Sequence, residues 1–284
     1  GSSSKLLSSE FSTALSGRHL KIKVYPLDFK EFLKFNNVEL SNKRDLVKNK
    51  VLIKRNFGKY LKYGGFPKIN FIENKKNKKI ELIEYFDTII LKDISKRHNV
   101  DLDEIRKVAF YLISNNSKLY SINNLKKMNF GSFGTINKYI RFLHEVYLLF
   151  DLSIFDYSVK KQMVNLNKIY CIDNGFFEAI SFKFSENYGR LLENLVFIEL
   201  KRQGKEIYYH RKKKECDFII KKGLDIVEAI QVTQSLENED RGAETKKREI
   251  EGLLDACKSY NLNNGLILTD DEEDEFIQDD IRIK

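Results

Sequence analysis

The chain has 284 residues, 42% of them hydrophobic, which is enough to bury the cores of about two domains. It has no apolar run of the roughly 18 residues a membrane span needs and no apolar secretory block near its start, and its three scattered cysteines exclude a disulfide framework; the expectation is a cytoplasmic protein with buried thiols and no membrane partner. The net charge of +9 is uneven, because residues 261–284 carry −6 and the rest +15, an excess that suits an anionic partner such as nucleic acid but also fits a Lys-rich proteome.

The opening residues, which lack an initiator Met, read as a piece of something larger: a short helix over Ser8–Ser16, then apolar and charged residues alternating as in a strand from Leu20 to Tyr25, stopped by Pro26. Helical spacing follows over 44–63 and 78–97, the second through Ile80, Ile83, Phe86, Ile90 and Ile94. Tyr63-Gly64-Gly65-Phe66-Pro67 is a turn, and Asn70 to Lys79 is a polar connection. These helices make a small helical subdomain.

From Asp101 to Tyr157 the pattern is three short helices and a tail of β-formers, a helix-turn-helix rhythm with a wing over Leu148 to Tyr157. Ser121 is a candidate cap for the second helix and Thr135 for the third. Asn137, Lys138 and Arg141 fall off the apolar stripe of the third helix, where they would meet a DNA groove or simply face water.

From Lys168 onward the chain reads α/β. A strand over Lys168–Ile172 precedes a helix over Gly189–Gln203, strands over Ile207–His210, Cys216–Ile220 and Ile226–Val232, a helix over Arg241–Tyr260 and a strand over Gly265–Thr269. Arg211, Lys212, Lys213 and Lys214 lie beside Tyr208 and Tyr209, a combination that suits nucleic acid or a solvated turn. The four histidines show no metal-ligand spacing.

Neither Gly58-Lys59-Tyr60 nor Gly204-Lys205-Glu206 completes a phosphate-binding P-loop, so no ATPase activity is expected of this chain alone. Glu193 on a helix, Asp217 on a strand, and Gln231 and Thr233 on the next strand follow the order of a PD-(D/E)XK nuclease core. Such a core uses carboxylates to hold magnesium and a lysine to orient or activate the attacking water. Glu193 and Asp217 are the candidate metal ligands. Gln231 stands where a second carboxylate belongs and Thr233 where the lysine belongs; an amide oxygen carries no charge, and Thr supplies no cation.

The stretches GSSSKLLSSE, LSGR, YPLDFKEFL, YLKYGGFP, YFDTIILKDI, KIYCIDNGF, GRLLENLVFIELKRQG, IYYHRKKKECDFII and EAIQVT resemble the archaeal AAA+ ATPases that carry a C-terminal winged helix and a PD-(D/E)XK-like domain. The resemblance implies a mixed α and α/β chain: a remnant of the AAA+ core over 1–36, a helical lid over 37–98, a winged helix-turn-helix over 99–160 and a nuclease-like domain over 161–284. It further implies that Ser2 and Ser3 are nucleotide sensors, that Arg18 is an arginine-finger-like residue, and that ATP binds only with a missing N-terminal region. The leading expectation is a fragment that binds nucleic acid or a protein partner without cutting. The alternatives are a magnesium-dependent nuclease built on Asp217 and Glu193, and a protein-interaction or homo-oligomeric module using the acidic segment 270–280.

Overall fold

Asp28 and Glu31 start the first described helix by capping each other's backbone. The Asp28 side chain accepts the Glu31 N–H at 2.8 Å, and the Glu31 side chain accepts the Asp28 N–H at 2.9 Å. The computed structural model describes residues 22–40, 42–181, 188–236 and 242–284. The expected helix over 8–16 and the nucleotide-associated Ser2, Ser3 and Arg18 lie outside the described residues. The described chain forms two compact units, one from Gly1–Phe150 with Ile169–Phe184, the other from Asp151–Lys168 with Ser185–Lys284.

In the first unit the helices are α1 (Phe29–Phe35), α2 (Lys43–Lys48), α3 (Lys50–Tyr63), α4 (Pro67–Phe71), α5 (Lys75–Thr88), α6 (Lys96–His98), α7 (Leu102–Ser114), α8 (Ile122–Lys127) and α9 (Phe133–Glu145). The strand expected up to Tyr25 is not formed: Ile22 to Tyr25 is irregular, and Ile22 and Val24 are exposed. Alternation makes a strand only when a neighbour takes its backbone hydrogen bonds. The polar connection expected up to Lys79 is shorter than its composition suggested, because Asn74 caps Lys76 and Asn77 and begins α5. Beyond α5 the helix widens to a π-helix over Ile89–Ser95 that keeps Ile90 and Ile94 buried. Ser132, not Thr135, caps α9, its hydroxyl accepting the Thr135 N–H. Ser121 precedes α8 but its side chain makes no cap hydrogen bond.

Strand β1 (Leu119–Tyr120) and strand β2 (Leu149–Leu152) flank β3 (Asn167–Cys171) in a three-stranded sheet. The strand expected to open the α/β region is thus the centre of this sheet. The burial of Ile169, Tyr170 and Cys171 gives the reason, since their backbone N–H and C=O groups, shut off from water, need partners on both edges. A helix missed in the sequence, α11 (Asn174–Ile180), follows β3 and packs against α3, α5 and α7.

The second unit begins with α10 (Val159–Val164) and continues with α12 (Tyr188–Arg202), β4 (Glu206–Arg211), β5 (Glu215–Lys222), β6 (Asp225–Val232), α13 (Gly242–Ser259), β7 (Asn264–Leu268), β8 (Phe276–Gln278) and β9 (Ile281–Ile283). Its sheet runs β4-β5-β6-β7-β9-β8. β4, β5 and β6 are antiparallel neighbours joined by short turns, whereas β6 and β7 are parallel, as the α13 crossover between them requires. The core gathers Cys216, Ile219, Ala229, Leu253, Leu254, Ala256, Cys257 and Ile283, with Phe155 brought in from the earlier segment. That segment covers the outer side of β4, Phe155 N–H donating to the Tyr209 carbonyl at 2.9 Å and Tyr209 N–H to the Ser153 carbonyl at 3.0 Å. The acidic segment 270–280 is not a free tail. Asp279 and Asp280, both at positive φ, make the two-residue turn between β8 and β9, and Asp279 pairs with Lys258 at 2.6 Å. All three cysteines are free and buried, and burial pushes the Cys171 thiol up to about 12.

Candidate functional site

Within the second unit, charged groups from three segments meet in one largely buried cluster, with Glu215 at its exposed rim. The start of β3 contributes Lys168, α12 contributes Glu193, and β5 contributes Glu215 and Asp217, which share a strand face because they are two residues apart. The Lys168 side chain is only 3% exposed, and its Nζ lies 2.9 Å from Asp217 Oδ1, 2.9 Å from Glu215 Oε1 and 3.2 Å from Glu193 Oε1. Tyr209 holds the preceding backbone by donating its hydroxyl to the Leu166 carbonyl at 2.6 Å, and its ring lies 5.9 Å from the Lys168 ammonium.

Gln231 on β6 extends the cluster. Its Oε1 accepts the Asp217 N–H at 3.2 Å, and its Nε2 donates to Asp217 Oδ2 at 2.9 Å and to Glu249 on α13. The opposite amide orientation would set an oxygen against two carboxylates, so the neighbours fix the one observed. Asp217 Oδ2 also accepts the Val232 N–H at 3.1 Å. Arg248 closes the network on Glu249 at 2.6 Å, and that hydrogen bond raises the Arg248 guanidinium further above its ordinary value. Helix α13 can come this close because residue 252 is glycine: a Cβ there would lie 2.1 Å from the Glu215 carbonyl oxygen.

Of the four positions singled out in sequence, Glu193, Asp217 and Gln231 therefore meet. Thr233 does not join them; it is buried, with its hydroxyl turned to the Ser235 carbonyl at 3.4 Å. Sequence reasoning missed Lys168, Glu215 and Glu249 as members. The available signals were the period-two spacing of Glu215 and Asp217, and a charge at each of Lys168 and Glu249 beside positions that had to be apolar.

The magnesium implied by the nuclease pattern does not fit these residues. An ammonium already stands among the carboxylates, and Asp217 already accepts from Lys168, Gln231 and Val232. Among the described residues, no group of three or more His, Cys, Asp or Glu is arranged to hold a metal ion.

The candidate nucleic-acid residues fall in two places. Asn137, Lys138 and Arg141 are all exposed on α9 in the first unit, with Arg141 3.7 Å from Glu145. Arg211 ends β4 and Lys212, Lys213 and Lys214 form the β4–β5 turn of the second unit, where Asp255 Oδ2 accepts the Lys213 and Lys214 N–H groups at 3.1 and 3.0 Å. Three of these four cations are already engaged: Arg211 pairs with Glu215 at 3.9 Å, Lys214 with Glu251 at 2.6 Å, and Lys212 lies 5.3 Å from the Tyr260 ring.

A family model described as an AAA domain matches residues 1–33, and one described as a domain of unknown function (DUF8612) matches residues 54–187. An uncharacterized protein of Methanocaldococcus jannaschii is 37% identical over 279 residues, covering 93% of this chain and 60% of its own length. An uncharacterized protein of Haemophilus influenzae is 34% identical over 234 residues, covering 80% of this chain and 56% of its own length. The chain thus spans less than two thirds of either relative, and similar proteins occur outside the archaea. No solved structure matches. The AAA match, confined to residues 1–33, is the one that points to an AAA-like ATPase family.

Proposed function

We propose, from the likeness to an AAA-like ATPase family, that the chain is the nucleic-acid-binding part of an AAA-type ATP-binding protein, with a winged helix-turn-helix in its first unit and a nuclease-like second unit that does not cut. One observation carries the binding half. From Ser121 to His144 the chain has Lys126, Lys127, Lys138 and Arg141 and not one acidic residue, and all four cations are exposed on α8 and α9. A cationic surface next to a polyanion gains by counterion release, and Glu145 at the end of α9, 3.7 Å from Arg141, offsets only one of the four cations. The order α7, β1, α8, α9, β2, β3 supports the winged-helix reading, and the order α12, β4, β5, β6, α13, β7 supports the nuclease-like one. ATP would be held with further sequence of the AAA domain, because this chain contains no P-loop.

Lys168 favours a second reading, that of a magnesium-dependent nuclease, since it brings a lysine next to Glu193 and Asp217 where Thr233 supplies none. The first reading is preferred because that lysine bonds the carboxylates directly. The test is a gel shift with a short DNA duplex at near-physiological salt, run on the wild type and on Lys138→Glu/Arg141→Glu. Loss of about tenfold or more in affinity in the variant is expected, at a charge-pair energy of about 1 kcal/mol or more per contact. Wild-type affinity no better than that of an unrelated protein of the same net charge sinks the proposal.

A further inference from the structure

We infer that the Lys168 ammonium is the resident cation of the second unit's acidic cluster, occupying the place of a divalent ion and making the unit independent of metal. The inference rests on the non-cleaving reading of that unit and deepens it. An ammonium carries three N–H donors, and three carboxylate oxygens, one each from Glu193, Glu215 and Asp217, stand at 2.9–3.2 Å from Nζ. Those separations are hydrogen-bond lengths; magnesium demands oxygens at about 2.1 Å and calcium at about 2.4 Å. The lysine is also committed to the site. Its side chain is 3% exposed, so its charge must be compensated where it is, and that charge in turn offsets the mutual repulsion of the three carboxylates around it.

Gln231 fits the same logic. A divalent ion calls for a second carboxylate at its position, whereas a single positive charge among three carboxylates is already outnumbered. A neutral amide that donates to Asp217 and Glu249 adds hydrogen bonds there without adding negative charge. Gln231 and Lys168 thus act together: the site holds a covalently attached monocation where a nuclease core would hold a removable dication.

The experiment is manganese titration of the full chain, followed by calorimetry and by the paramagnetic signal of the free ion, together with thermal melts in EDTA and in millimolar manganese. The wild type is expected to show no saturable binding and the same melting temperature in both. Lys168→Ala is expected to melt several degrees lower in EDTA, to bind manganese at one site, and to regain stability on binding it; Lys168→Ala/Asp217→Asn is expected to lose that binding. Saturable manganese binding by the wild type overturns the inference, and so does a folded Lys168→Ala that neither loses stability nor binds the ion. If Lys168→Ala does not fold in EDTA, failure of manganese to restore folding overturns it equally. Manganese binding by the wild type without DNA cleavage would remove this inference alone, whereas manganese-dependent cleavage abolished by Asp217→Ala would remove the non-cleaving reading with it.

Discussion

Asp217 and Gln231, on neighbouring strands, are joined twice: the Asp217 N–H donates to Gln231 Oε1 at 3.2 Å, and Gln231 Nε2 donates back to Asp217 Oδ2 at 2.9 Å. Gln231→Glu keeps the shape of that pair and reverses its electrostatics, because the new carboxylate would face Asp217 and Glu249 with no N–H to offer. Destabilisation of about 3 kcal/mol at neutral pH is expected in urea unfolding, the size typical of an uncompensated buried charge. The deficit should shrink in mild acid as the new carboxyl takes a proton. A Gln231→Glu protein as stable as the wild type would show that the cluster tolerates further negative charge.

Gly252 tests the approach of α13 to β5. Alanine in a helix is worth about 1 kcal/mol over glycine, so an unobstructed site would be stabilised by Gly252→Ala. Here the added methyl would lie 2.1 Å from the Glu215 backbone oxygen, which is not the movable end of a side chain. Overpacking of this kind costs about 1–3 kcal/mol, and the clash should win, giving net destabilisation of about 2 kcal/mol by urea unfolding. The same variant should weaken the Gln231–Glu249 contact, because the helix that carries Glu249 must move outward.

Much of the second unit was legible in the sequence. The apolar spacing of Leu192, Leu195, Val196 and Ile198 marked α12, and strands β4 to β7 fell within a residue or two of their expected limits. Local chemistry hid the rest. The run Asp270 to Glu275 masks the β8–β9 hairpin, since acidic composition reads as a solvated tail until Asp279 and Asp280 are seen to form the turn. Lys168 was unreadable as a site residue for a different reason: its partners lie 25, 47 and 49 positions further along the chain, on a helix and a strand whose register only the folded sheet defines. Helix α11 was missed because Asp173-Asn174-Gly175 carries every local mark of a turn, and only the Asp173 side chain accepting the Gly175 N–H makes it a helix start.

His210 gives the pH dependence. It is fully buried, with Nδ1 2.9 Å from the Tyr260 hydroxyl and Nε2 3.0 Å from Asp255 Oδ2, contacts that suit a neutral ring carrying its proton on Nε2. Burial holds the imidazole below its ordinary value and outweighs the pull of Asp255. The unfolded chain then takes up a proton near pH 6.5 while the folded one stays neutral, so the stability this group contributes is complete above that pH. It is lost as the pH falls from there through the lower folded value. Melting temperatures should therefore decline from neutral pH toward pH 5, and His210→Gln should flatten that decline. An equally steep decline in the variant would assign the acid sensitivity to other groups.

Asp173 ties the Tyr63-Gly64-Gly65-Phe66-Pro67 turn to the start of α11 within the first unit. It is buried and accepts the Gly65 N–H at 2.7 Å through Oδ2 and the Gly175 N–H at 2.8 Å through Oδ1. Asp173→Ala leaves two buried N–H groups without that acceptor, each worth about 1–3 kcal/mol, and a combined loss of about 3 kcal/mol is expected. Gly64→Ala should cost a similar amount by a different route: its φ is +77°, and a Cβ there would lie 1.6 Å from the Asp173 carboxylate. The two changes share one cause, the space the carboxylate fills beside the glycine, so they should not add. In the double variant the alanine at 64 meets no carboxylate, and only the cost of its backbone conformation remains, φ +77° with ψ −168°, a region almost confined to glycine, at about 1–3 kcal/mol. The double variant should accordingly be more stable than the sum of the singles predicts, by 1 kcal/mol or so in a double-mutant cycle. Strict additivity would mean that Gly64 is required by its backbone conformation alone, and that the close approach of Asp173 places no constraint on the turn.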